Sequence, residues 1–396
     1  MLILTHEYPP YIYGGIGTFC SDLATALGRE NIQVTVAAGC PSSAIGADYG
    51  RSVQQQNVHI LRVPKFDYPP NHLWYQLMNL HGLRKLASKF DIVHGQDTSS
   101  FPLIYFSKRI DPELPWVVTA HDGFISELQF AIRSLGRGGA IGDFLRYVVG
   151  FPAWDAILRG DLRYADVIVP VSDNLSNEIM GFYRIDPRRI VTIPIGVDIE
   201  HLESLARFSS PPVASNKVKL FWAGRMSWRK GIIHLMHSLS HLIHEIGFND
   251  FELQMFGRGP LESKVRVLVA ALNLNSNVRL RGFVKYEELI ASMATSDIVC
   301  FPSLYEACPV GLVEAMVLGR PTVAFDRPYS RELIGMEGVL ARGISDYAEV
   351  LHDLCTDSGL RQKLGKRLKV RAQGNFDIRL IAGNYLKLYQ ETLASK

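Results

Sequence analysis

Two cations and two carboxylates in the second half of the chain stand at spacings that could do chemistry. Gly224-Arg225-Met226-Ser227-Trp228-Arg229-Lys230-Gly231 follows the apolar run Val218 to Ala223, which reads as a strand. It opens a segment with Ile232, Leu235, Met236, Leu239, Leu242, Ile243 and Ile246 at helical spacing. Arg225 and Lys230 therefore fall between a strand end and a helix start. Cations there oppose the helix dipole unless an anion joins them, and a phosphate would do so through charge-assisted hydrogen bonds. The plainer reading is a solvated basic loop, whose exposed cations add little to stability. Further on, the strand-like Ile298–Phe301 leads into a loop carrying Glu306, and a helix is predicted from about Val310 with Glu314 one turn inside. Carboxylates accept hydrogen bonds from sugar hydroxyls, and the backbone N–H groups of a first helical turn, here at Val310 and Gly311, suit phosphate oxygens. Near the start, Gly14-Gly15-x-Gly17 lies between a strand and a helix, where glycines let a ligand approach the backbone, although a tight turn would use them equally. The spacing is not GxGxxG, so a dinucleotide fingerprint is absent.

The elements that must position these residues form two successive runs of strands and helices. Leu2–Leu4, Val34–Ala38, Ile60–Val63, Ile92–His94, Val117–Ala120, Val167–Val171 and Val191–Pro194 are apolar on both faces, as strands of a helix-covered parallel sheet are. A second cycle starts at Val218, with further strands near Phe251–Phe256, Val278–Phe283, Asp297–Phe301 and Thr322–Phe325. The expectation is an α/β protein of two doubly wound, Rossmann-like lobes with a cleft between them and ligands outside the carboxyl ends of the strands. The expected division is a first lobe over 1–203, a Ser- and Pro-rich linker over 204–217, a second lobe over 218–376 and a final helix over 377–396.

Composition narrows the function. A length of 396 residues suits two domains, and 47% hydrophobic against 20% charged residues excludes a disordered chain. A net charge of +3 gives no footprint for nucleic acid. The 5 cysteines show no CxxC spacing, the start lacks a signal-peptide pattern, and no 18-residue apolar stretch occurs. A soluble protein of a reducing compartment, placed in the cytoplasm, is expected. Phe66, Tyr68, Trp74 and Tyr75 near Lys65, Arg84, Lys85 and Lys89, and Arg133, Arg137 and Arg146 among Phe130, Phe144 and Tyr147, leave two readings open: ordinary solvated or core faces, or peripheral contact with an anionic inner membrane face. The basic run Arg361 to Arg371 reads as a solvated helix face.

Taken in order, Glu7-Tyr8-Pro9-Pro10 with Gly14-Gly15, Asp91-Ile92-Val93-His94, Thr119-Ala120-His121, Ile193 to Asp198, Gly224-Arg225 through Lys230-Gly231, Gly257-Arg258-Gly259-Pro260 and Glu306 through Glu314 resemble the retaining glycosyltransferases of family 4, with their two-lobed GT-B fold. The last stretch matches that family's Glu–seven residues–Glu motif. The resemblance implies a transferase of the EC 2.4 class, in glycan biosynthesis, moving a hexosyl group from a nucleotide-diphosphate sugar to an acceptor hydroxyl. It implies retention at the anomeric carbon by same-face attack, the departing phosphate accepting the proton. It further implies that Gly14 and Gly15 meet the donor diphosphate and that Arg225 and Lys230 neutralise it. Val310 and Gly311 would lend N–H groups, Arg258, Phe283 and Val284 would complete the donor site, with Phe283 and Val284 lining the base. Glu306 would hold the sugar, Glu314 the ribose, and His121 would sit near the reacting carbon. The final helix would return to the first lobe. Pro309 departs from the glycine common at its position and has no N–H to offer phosphate. No Asp-x-Asp pair occurs, so neither an essential divalent metal nor any cofactor is expected. The acceptor stays open among glycans, lipid-linked and small molecules, as do the sugar and the base. A nucleotide-sugar epimerase and a non-catalytic nucleotide-sugar binding protein are the rival readings.

Overall fold

The structure, a computed structural model, describes residues 1–12, 14–41, 52–55, 57–65, 71–97, 99–134, 141–207 and 217–396. The side chains of Phe66, Tyr68, Trp74, Arg133, Arg137, Phe144, Arg146 and Tyr147 lie outside the described residues, as does most of the expected linker, residues 208–216. The chain divides into one unit of Met1–Gly196 with Ile378–Lys396 and another of Val197–Asp377.

In the first unit, strands β1 (Leu2–Thr5), β2 (Val34–Pro41), β3 (Ser52–Gln55), β4 (Val58–Lys65), β5 (Val93–Gln96), β6 (Trp116–Ala120) and β7 (Val167–Pro170) form a sheet of order β3-β4-β2-β1-β5-β6-β7. Each described pair is parallel except β3 on β4. Leu2, Ile3, Leu4, Val36, Val93, Val117, Val118 and Ile168 are all fully buried, which explains the unbroken apolar runs: helices cover both faces. Val191–Pro194 is not a strand. It runs beside β7 with two hydrogen bonds, Val191 N–H to Ile168 O and Ile193 N–H to Pro170 O, and Pro194 has no N–H to continue the ladder.

In the second unit, β8 (Val218–Ala223), β9 (Phe251–Phe256), β10 (Val278–Gly282), β11 (Ile298–Phe301), β12 (Thr322–Phe325) and β13 (Val339–Ala341) form a parallel sheet of order β10-β9-β8-β11-β12-β13. The order reverses between β8 and β11, so the loops after these two strands flank the crevice where such sheets take ligands. The helix Ile199–Arg207 packs on the helices Tyr286–Ala294 and Val310–Val317, buries Leu202 and pairs Glu203 with Lys369 at 2.7 Å. The break between units therefore falls at Gly196/Val197 instead of after residue 203.

The basic run is not a plain solvated face. Arg361 donates to the carbonyls of Leu354 and Cys355, Arg367 to Met336, and Arg371 to Glu332 and Leu333. These carbonyls belong to or follow the ends of the helices Ile344–Thr356 and Pro328–Ile334, where the last four C=O groups lack intrahelical donors. Three of the six cations thus cap helices.

Candidate functional site

In the second unit the site is assembled from loops at the carboxyl edge of the sheet. After β8 the chain passes Gly224 and exposed Arg225, makes a 3-10 turn over Trp228–Lys230, and enters the helix Ile232–His244 through Gly231. Gly231 has φ +63°, and a Cβ there would lie 1.8 Å from the Pro302 carbonyl oxygen, so the loops after β8 and β11 close on each other only with glycine. Leu304 N–H donates to Arg229 O at 2.8 Å across the same seam. The result brings Lys230 Nζ to 2.5 Å from Glu306 Oε1, with Arg229 3.8 Å from Oε2. Burial alone pushes the Glu306 carboxyl up, but Lys230 and Arg229 overcome it and hold the group below its ordinary range. Lys230 Nζ also lies 5.9 Å from the centre of the Phe301 ring. Lys230 is therefore a half-buried, paired cation, not the exposed one expected.

Glu314 sits in the helix Val310–Val317 and is 5% exposed. Its Oε1 accepts a hydrogen bond from the Tyr286 hydroxyl at 2.6 Å. Burial raises its pKa and the Tyr286 hydrogen bond opposes the rise. Pro309 is the N-cap of this helix, so its missing N–H falls before the first turn, while the N–H groups of Val310 and Gly311 stay in that turn without intrahelical acceptors. Gly311 is close to Glu314: a Cβ there would lie 3.8 Å from Oε2. The loop after β9 brings Arg258, whose carbonyl accepts from Met226 N–H at 2.9 Å. Phe283, just past β10, is 81% exposed, and Val284 beside it is partly exposed. The structure thus brings Lys230 and Glu306 into contact and sets Glu314 on the helix that follows. Among the described residues no hydrogen bond or ion pair joins Arg225 to either carboxylate.

In the first unit, Gly14 is the N-cap of the helix Gly15–Arg29. Glu7 Oε1 accepts from Gly17 N–H at 3.1 Å, filling one of the helix's open N–H positions with a negative charge. The two glycines differ in what requires them. A Cβ on Gly17 would lie 2.0 Å from Ile12 Cγ2, whereas one on Gly14 would meet nothing within 4 Å. A side chain at Gly17 would force the exposed Ile12 side chain to shift, whereas no contact requires glycine at position 14. Arg62 holds the preceding loop, donating to the carbonyls of Tyr8 and Pro9 and lying over the rings of Tyr8 and Tyr11. His121 follows β6 directly and is 4% exposed. Its Nε2 lies 2.8 Å from Gln96 Oε1, and its ring packs edge-on against Phe19. Burial lowers its pKa to about 3, so it is neutral at pH 7.

Tyr286, Arg229 and Gln96 escaped the sequence reading. Tyr286 lies 28 residues before its partner, and no local pattern links a tyrosine opening one helix to a glutamate in another. Arg229 could have been found as the neighbour of Lys230. Among the described residues no group of three or more His, Cys, Asp or Glu is placed to hold a metal ion, and no helix is long and apolar enough to cross a membrane.

A pair of doubly wound sheets, one carrying cations, a buried carboxylate pair and a helix N-terminus at its carboxyl edge, is the GT-B design of glycosyltransferases. The chain belongs to that group: residues 13–201 match the model of Glycosyltransferase Family 4, and residues 217–357 match that of Glycosyl transferases group 1. Among curated relatives it is 25% identical over 329 residues to the MMP alpha-(1->4)-mannosyltransferase of Mycolicibacterium hassiacum, covering 80% of this chain and 75% of that protein. It is 24% identical to a glycogen synthase of Mycobacterium tuberculosis, covering 98% and 94%. The fold is shared with sucrose-phosphate synthase from Thermosynechococcus elongatus, at a TM-score of 0.80 and 17% identity over 100% of this chain and 99% of that one. It is also shared with Anabaena HepE solved with UDP-glucose, at a TM-score of 0.71 and 16% identity over 100% and 99%.

Proposed function

We propose that this glycosyltransferase moves a sugar from a nucleotide-diphosphate donor to an acceptor hydroxyl with retention at the anomeric carbon and without an essential metal ion. The observation that carries the reading is the Lys230–Glu306 pair beside the first turn of the helix that bears Glu314. Departure of a diphosphate builds negative charge, and Arg225, Lys230 and the N–H groups of Val310 and Gly311 are suited to stabilise it without a metal. Gly14 and Gly15 leave backbone that a phosphate can approach. Glu306 accepts hydroxyls of the sugar and Glu314 those of the ribose, while Arg258, Phe283 and Val284 border the base. His121 faces the sugar as a neutral imidazole. The bond from the anomeric carbon to the β-phosphate oxygen breaks, the acceptor oxygen bonds to that carbon from the same face, and its proton passes to the departing phosphate. Support for a nucleotide-sugar donor comes from the UDP-glucose bound by HepE, and for hexosyl transfer from the mannosyltransferase relative.

The test is incubation with a panel of nucleotide sugars, with and without glycan, lipid-linked and small-molecule acceptors. Free nucleotide released only with an acceptor, and an axial or equatorial product linkage matching the donor, are expected. Conversion of one nucleotide sugar into another without acceptor would make the protein an epimerase, and tight binding without turnover would make it a binding protein. An inverted linkage, or activity abolished by chelation, would overturn the retaining and metal-free parts separately.

A further inference from the structure

The two carboxylates of the second unit are kept charged by different means. Glu306 has Lys230 at 2.5 Å and Arg229 at 3.8 Å, and these cations hold its carboxyl below the ordinary range against the effect of burial. Glu314 is buried as deeply, yet no cation pairs with it among the described residues. Its only hydrogen-bond partner among them is the Tyr286 hydroxyl, 2.6 Å from Oε1. The elements around it offer no substitute. Ile199–Arg207 carries Glu200, His201, Glu203 and Arg207, and Ser358–Asn375 carries Lys369 among other cations. The helix of Tyr286 carries Glu287 and Glu288, and Thr322–Phe325 carries no charge. Glu203 and Lys369 are paired with each other. Burial and Tyr286 are what act on the Glu314 carboxyl, and they act in opposite directions.

A phenol suits this task. It ordinarily titrates near about pH 10, so it stays a donor throughout the range in which a carboxyl changes state. A hydroxyl donating to a carboxylate makes a charge-assisted bond that favours the ionised form, and 2.6 Å is the length of such a bond. Without it burial would act unopposed, and the carboxyl would keep its proton to higher pH. That difference matters to a ligand. An ionised carboxylate accepts on both oxygens, whereas a protonated one turns one of them into a donor. With Oε1 held by Tyr286, Oε2 has no partner among the described residues, and a Cβ on Gly311 would lie 3.8 Å from it. Oε2 is thus the oxygen left for a ligand hydroxyl. Tyr286 also stands two residues after Val284, so the segment that borders the base holds the carboxylate assigned to the ribose.

We propose that Tyr286 is a positioning residue that keeps Glu314 an ionised, fixed acceptor for ribose hydroxyls, and so sets the pH below which the protein loses its hold on the nucleoside part of its donor. The ligand half of this inference rests on the sugar-transfer reading; the carboxyl half does not. Lys230 and Arg229 keep Glu306 ionised to lower pH, so the nucleoside is released before the Lys230–Glu306 pair is disturbed.

Two measurements on the full chain test the two halves. Carbon-13 NMR of protein labelled at its glutamate carboxyls, with no ligand present, follows Glu314, whose signal is identified by its loss in Glu314→Gln. Glu314 should titrate above Glu306 in the wild type, and about 1–2 pH units higher again in Tyr286→Phe. Calorimetry then reads the binding of UDP-, ADP- and GDP-linked glucose, whose diphosphates are esterified at both ends and do not titrate in that range. Below the Glu314 titration, wild type and Glu314→Gln should bind the donor alike, since both present a neutral side chain. They should part as pH rises through it, and Tyr286→Phe should part from Glu314→Gln about 1–2 pH units later. A Glu314 titration unmoved by Tyr286→Phe would overturn the proposal even if sugar transfer is confirmed. A moved titration with a wild-type to Glu314→Gln affinity ratio constant in pH would overturn the ligand half. A moved titration with no nucleotide sugar bound would uphold the action of Tyr286 on Glu314 and sink the sugar-transfer reading instead.

Discussion

Removing Lys230 should damage the fold as well as the reaction, and the damage should depend on pH in a defined direction. Glu306 is 7% exposed, and Lys230 Nζ is 2.5 Å from its Oε1, so Lys230→Ala strands a buried carboxylate with only Arg229 at 3.8 Å. Breaking a fully buried pair by deleting one partner costs about 3–5 kcal/mol. The Lys230 side chain is 20% exposed and Arg229 remains, so solvent and the second cation reduce the loss. We expect about 1–3 kcal/mol at pH 7. Since the folded-state pKa of Glu306 is depressed, the pair's contribution is present above the unfolded carboxyl value and is lost as pH falls through the folded one. The gap between wild type and Lys230→Ala should therefore be full near pH 7 and close as pH drops below about 4, where the carboxyl is protonated in the unfolded chain. Urea unfolding followed by tryptophan fluorescence, to which Trp222 and Trp228, both buried in the second unit, contribute, reads this. The double variant Lys230→Ala/Glu306→Gln should recover part of the stability, because no stranded charge is left. The reasoning fails if the penalty is the same at pH 3 and pH 7, or if the double variant is less stable than Lys230→Ala. Independently, kcat/KM of Lys230→Ala should fall roughly 10²- to 10³-fold, the size of one lost transition-state contact.

Glu314→Gln should raise the donor KM about 10- to 150-fold with kcat nearly intact, as loss of a charged hydrogen bond to an unreacting ribose would, whereas Glu306→Gln should act chiefly on kcat. Steady-state kinetics on both variants decides this, and reversed effects would exchange the two roles. Tyr286→Phe should mimic Glu314→Gln at smaller amplitude, a rise in donor KM of roughly 2- to 12-fold; an unchanged KM would leave Tyr286 a merely structural partner. Activity should survive exhaustive treatment with EDTA, and loss restored by Mg²⁺ or Mn²⁺ would refute metal independence. Gly231→Ala should destabilise by about 2 kcal/mol or more, since the new Cβ meets backbone in a left-handed conformation. Gly14→Ala should melt as the wild type does but bind donor less tightly, and thermal shifts with and without UDP separate the two.

The sheets and the donor-side motifs were legible because their signals are local. Runs such as Val117–Ala120, apolar apart from Thr119, announce strands covered on both faces, and a stripe such as Ile232 to Leu242 announces the helix behind the cation loop. Edge elements were harder to read. Ser-Val-Gln-Gln of β3 has one apolar residue and pairs on one side only, and Val-Leu-Ala of β13 is too short to show a period. The positions of Lys230, Glu306 and Glu314 could be read, but the state of each could not. Whether a cation is exposed depends on a partner 76 residues away, as for Lys230 and Glu306. The same holds for Arg361 and Arg371: a run of like charges looks solvated until the helix ends that it caps are brought beside it. His121 stood out through its place after a strand, while Gln96, whose Oε1 lies 2.8 Å from the His121 Nε2, is an ordinary amide in the sequence.

The last helix also carries a consequence for how the chain is made. Its residues 378–396 complete the unit whose other residues end at Gly196, and all of residues 197–377 are synthesised in between. At about 5–20 residues per second, a ribosome leaves the first sheet without Tyr385, Leu388 and Tyr389 against its face for on the order of 10–40 s. The second unit, continuous in sequence, can close as soon as it emerges. The nascent first unit has to wait with that face uncovered, which makes it the part of the molecule most in need of a chaperone and most exposed to harm from a truncation that removes residues 378–396.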